Sequence, residues 1–157
     1  MLTAVLVGCT AQPDPNATPT AVFSSDEEAF AAAEATYRAY VDALNAVASD
    51  DVDALDPANF LVGDALESHN QTERAFDDAK LRVEGNTRIV WITAGADSPG
   101  DSMSILVCLD VSATRIVDAD GADQTPVGRE ETVLLQTTVV ELDEVPAISK
   151  SVAVDQC

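Results

Sequence analysis

The sequence is poor in positive charge, in aromatic rings and in histidine. Eight Lys and Arg residues stand against 28 Asp and Glu, for a net charge of -20. A surface of that sign repels phosphate backbones, so nucleic acid is not expected as a partner. It also repels anionic lipid headgroups, so any membrane attachment must come from something other than a basic patch. Aromatic residues make up 4% of the chain, with one Trp and two Tyr. The single histidine, His69, leaves little room for imidazole chemistry. No GxSxG nucleophile setting, P-loop, dinucleotide fingerprint or zinc-ligand spacing occurs, so no cofactor, metal or catalytic constellation is expected. The apolar stretch at the start is far shorter than the roughly 20 residues that span a bilayer.

What is present bounds the class. The 157 residues suit one ordinary domain, and 46% apolar residues suit a buried core rather than disorder. Residues 1–8, MLTAVLVG, read as an incomplete signal-peptide-like segment. The basic start is missing, which marks Met1 as an internal methionine or the chain as truncated. Leu6-Val7-Gly8-Cys9 resembles a bacterial lipobox. That resemblance implies a diacylglycerol on the Cys9 sulfur, cleavage after Gly8, and a protein anchored to the extracytoplasmic face of the cell membrane. Residues 9–24 then form the lipidated cysteine and a tether of linker composition, with Pro13, Pro15 and Pro19 among small polar residues. Two acyl chains suffice for stable anchoring.

Cys108 and Cys157 remain. In an exported protein they allow a single pairing, which closes a loop of about 50 residues and is worth on the order of 4 kcal/mol. The alternative is a buried thiol at Cys108 and a loose cysteine at Cys157.

A single α+β domain is expected over residues 25–157. Ser25 with Glu28 three residues on makes a capping box, followed by Phe30, Ala33, Tyr37, Tyr40, Val41, Leu44 and Val47 at helical spacing. Asp56-Pro57 predicts a short helix through Leu66, and a third helix runs from about Asn70 to Lys80 after a break at Ser68-His69-Asn70. From Leu81 onward, β-branched runs are separated by turn signals at Gly95–Asp101, Asp120-Gly121, Thr125-Pro126 and Asp143–Pro146. Helices first and strands afterwards predict helices packed on a mainly antiparallel sheet.

This order resembles the NTF2-like (cystatin-like cone) layout, which implies a curved sheet around the long helix. The stretches Tyr37–Leu44 (YRAYVDAL) and Val107–Ser112 (VCLDVS), with Cys157, are also similar to small actinobacterial lipoproteins of uncharacterised function. Those motifs imply a location and a fold and no activity.

Candidate sites are few. His69, in ESHNQT, is expected at an exposed helix boundary; a catalytic base would need a pocket and a shifted pKa. IVDADGADQTPV places Asp118 and Asp120 at the third and fifth positions of a calcium loop. Ile116 at the first and Val127 at the twelfth break the match. A turn at Asp120-Gly121 is expected there, with a weak surface cation site among Asp118, Asp120 and Asp123 as the alternative. Trp91 is expected to share a sheet face with Ile89 and Thr93, opposite Val90 and Ile92. Tyr37 and Trp91 are the candidate pocket-lining residues should the cone be open. The leading expectation is a non-catalytic interaction or scaffold domain that meets an envelope protein or a small ligand. A small-molecule-binding domain and an NTF2-like enzyme are the alternatives.

Overall fold

The computed structural model describes residues 25–96 and 102–157. The segments 1–8 and 9–24, Cys9 among them, and most of the Gly95–Asp101 turn lie outside the described residues.

The first helix, α1, spans Asp26–Ala48. It starts where the capping box puts it: the Ser25 hydroxyl accepts from the Glu28 N–H at 3.2 Å, and Asp26, Glu27 and Glu28 fill the first turn. Ala29, Ala33, Tyr37 and Val41, four residues apart, form the stripe it buries.

The next two elements differ from the expected short helices. Asp56 and Pro57 open only a 3-10 turn, Pro57–Phe60, before Leu61 bridges to Ile148. Helix α2 then runs unbroken over Gly63–Ala79, straight through Ser68-His69-Asn70. The reason is that Ser, His and Asn are weak helix formers and not breakers. No Gly or Pro occurs between Gly63 and Gly85. The helix ends when Lys80 takes a left-handed conformation at φ 53°.

Six strands follow. β1 (Leu81–Glu84) pairs antiparallel with β4 (Arg115–Asp118) in a small sheet of their own. β2 (Arg88–Ala94), β3 (Ser102–Asp110), β5 (Thr132–Leu142) and β6 (Val145–Asp155) form an antiparallel sheet in the order β2-β3-β5-β6. The single run read from Leu81 to Ala94 is thus split between two sheets at Gly85. That residue sits at φ 85°, and a Cβ on it would lie 2.1 Å from the Ala113 carbonyl oxygen. Only glycine fits there.

Bulges shape the main sheet. In β6, Ser149 and Val154 are extra residues against β5, which bends the sheet around α1. In β2, Val90 is the extra residue: Ile89 pairs with Leu109, and Trp91 pairs with Cys108. Ile89 and Ile92 therefore both reach the core, while Trp91 turns to the opposite face. The expected common face for Ile89 and Trp91 is corrected by that one inserted residue. β5 and β6 are joined by Asp143-Glu144, both at positive φ (51° and 67°), the geometry of a type I′ hairpin turn.

Helices α1 and α2 lie against the main sheet, α1 over β3, β6 and β2 and α2 along β6. Between them Ile105, Val107, Val139 and Ile148 are completely buried. No described helix is long and apolar enough to cross a membrane.

Candidate functional site

The concave side of the sheet is where a cone of this layout would hold a ligand, and α1 fills it. Tyr37 is 1% exposed. Thr137, completely buried, shares a hydrogen bond of 2.9 Å with the Ser151 hydroxyl. The Tyr37 ring meets Tyr40 edge-on at 5.8 Å. Burial pushes the Tyr37 phenol far above its usual range, the neighbouring Tyr40 adds to this, and hydrogen bonding with Ser151 works the other way. Tyr40 is also raised, first by burial and then by the Glu73 carboxylate. Both shifts favour the neutral phenol.

Trp91 lies on the other side of the sheet, 39% exposed, beside Cys108 in register. Tyr37 and Trp91 therefore line no common pocket. Cys108, 2% exposed, is joined to Cys157 with Cα atoms 5.9 Å apart. Leu134 of β5 stands between Cys108 and Asp155 in the register. The disulfide therefore ties the end of β6 to β3 across β5.

His69 is a half-buried residue within α2 and not part of a loop. No carboxylate lies within ion-pair distance of it among the described residues. The acids of the DADGAD segment hold their own turn. The Asp118 carboxylate accepts from the Ala122 N–H (2.9 Å), the Gln124 amide (2.9 Å) and the Asp120 N–H (3.0 Å). These bonds, that from Ala122 foremost, hold the Asp118 pKa below the usual carboxylate range. Asp123 is lowered by the Thr125 hydroxyl and N–H. Among the described residues no group of three or more His, Cys, Asp or Glu is placed to hold a metal ion.

Among the open depressions of the described residues, two border α2. One of about 280 Å³ runs between α2 and β6, with Asp64, Glu67, Gln71 and Lys150 on its walls. The other, about 400 Å³, lies where the C-terminal ends of α1 and α2 meet β1. Reading the sequence missed this second groove because its walls come from separated segments. A signal was nevertheless available: Asp77 and Asp78 end α2, and Asp50 and Asp51 follow α1. Acids at helix C-termini oppose the macrodipole.

No known family profile matches the sequence, and no curated protein matches it. Solved structures resemble it in shape. The intermembrane space region of the chloroplast protein ARC6 superposes with a TM-score of 0.55 at 11% identity, covering 81% of this chain and 97% of that one. Aln2 from a Streptomyces species superposes with a TM-score of 0.45 at 13% identity, covering 79% and 88%. The first likeness shows a shared fold, and identity this low transfers no activity. The second is weaker and adds nothing to it.

Proposed function

We propose that this protein is a non-catalytic interaction domain of the cell envelope, tethered to the extracytoplasmic face of the membrane by a lipid on Cys9. The observation that carries the reading is the filled concave side. Tyr37 is 1% exposed, and Ile105, Val107, Val139 and Ile148 beneath it are completely buried. A ligand-binding or catalytic cone keeps a cavity with convergent polar groups there. In this chain the polar groups at that place, Thr137 and Ser151, are bonded to each other. The best base for an NTF2-like enzyme would be His69, and it has no acidic partner among the described residues. The lipobox Leu6–Cys9 and the proline-bearing tether supply the attachment.

The outer sheet face, where Trp91 and Val152 are 39% and 41% exposed, supports contact with another protein. A photo-crosslinking amino acid at position 152, installed in the full chain in its own cells, tests the proposal. Discrete protein adducts are expected from the wild-type anchor, and their loss is expected in Cys9→Ala. A chain that crosslinks to nothing, or equally well without Cys9, contradicts the proposal.

A further inference from the structure

The groove at the helix ends joins apolar side chains to a mainly acidic rim. Leu44 of α1, Phe76 of α2 and Leu81 of β1 are its half-buried apolar lining, and Val47 of α1, 50% exposed, stands at its edge. Asp50, Glu73 and Asp77 stand at the rim, and none of them forms an ion pair among the described residues. One cation, Arg82, lines the groove against these three acids, and its guanidinium is turned to Glu84, which it shares with Arg115. Both helices also end here, and each C-terminus carries a partial charge of about -0.5. Neither has a basic residue in its last turn, and Lys80, which caps α2, does not line the groove. Acids at two helix C-termini break a local rule, and among the described residues none of the three rim acids is ion-paired, which is where a function is to be sought.

The walls are set in advance. The Asn45 side-chain amide donates to the Thr87 carbonyl at 2.9 Å, and its oxygen accepts from the Thr87 N–H at 2.8 Å. This pair ties α1 to the turn before β2. Gly85, held against Ala113, fixes the end of β1. No residue of the four-stranded sheet lines the groove, so it is separate from the filled concave face. Its volume of about 400 Å³ is that of a small-ligand cleft.

We infer that this groove binds a small amphipathic organic cation, its ammonium group among Asp50, Glu73 and Asp77 and its hydrocarbon part on Val47, Phe76 and Leu81. The hydrocarbon contributes affinity by leaving water, and the rim rejects carboxylates of the same shape. The chain's own first 24 residues are a poor occupant, since they hold Asp14 and no Lys or Arg.

Amide NMR of the full chain, titrated with n-octylammonium chloride or sodium octanoate at about 0.15 M salt, tests this, because surface attraction is largely screened there. The expected result is a saturable shift of the Val47, Phe76, Leu81 and Val83 amides with octylammonium and none with octanoate. The pair Glu73→Gln and Asp77→Asn should weaken binding about fivefold or more. The distant pair Glu27→Gln and Glu130→Gln should leave it unchanged. Shifts that spread over the acidic surface without saturating would overturn the inference. So would an equal response to octanoate, or the same affinity change in both double variants.

Discussion

Tyr37 shows how one side chain decides what the concave face can do. It is the largest of the fully buried side chains, and its ring occupies the space a ligand would need. Tyr37→Phe keeps that ring, so urea denaturation should show a loss of about 1 kcal/mol or less. Tyr37→Ala opens a cavity and should cost about 3–5 kcal/mol. Equal losses in the two variants would mean that the hydroxyl, and not the ring, is what matters. Asp110 is one residue through which acid should act, beside Glu84, Asp118 and Asp123. The Ser112 hydroxyl, the Ser112 N–H and the Arg88 guanidinium hold its pKa at about 2, below the ordinary 3.8. Because the folded value is the lower one, this stabilisation is present in full above the unfolded pKa and fades as pH falls through the folded one. Thermal melts between about pH 4 and pH 2 should therefore decline less steeply in Asp110→Asn than in wild type. Parallel declines would contradict the assignment.

Among the elements, α1 was the most legible in the sequence, because a capping box, first-turn acids and a four-residue spacing all agree. The unbroken α2 was less so: Ser68-His69-Asn70 looks like a loop in composition, but only Gly or Pro would have stopped the helix. The bulge at Val90 was not legible at all. It depends on register with β3, and it reverses the face of Trp91. The β5–β6 hairpin was marked by its turn residues, although its type was not. Asp143 and Glu144 both occupy positive φ without a glycine. Glu144→Gly should relieve that strain and stabilise the protein by about 1 kcal/mol, read as a raised urea midpoint with an unchanged slope. The disulfide acts at the same scale, joining β3 to the end of β6 over 49 residues. Cys157→Ser should cost about 4 kcal/mol by the loop-entropy argument. A loss under about 1 kcal/mol would show that the β5–β6 pairing holds the terminus unaided.

At the scale of the whole molecule, two facts act together. A surface with a net charge of -20 is repelled by anionic lipid, so the membrane residence proposed above would rest on the cysteine in LVGC. The role proposed above would use outside surfaces, among them the sheet face around Trp91 and Val152 and the groove between the helix ends. The fold class was readable from the order of helices and strands. The groove was not, since it forms only when α1, α2 and β1 come together in space.

The tether is the claim on which the proposed role depends, and intact mass of the chain extracted from membranes of its own cells tests it most directly. The expected species begins at Cys9, carries a diacylglycerol on its sulfur, and lacks two hydrogens for the Cys108–Cys157 bond. A chain recovered with an unmodified Cys9 would contradict the account.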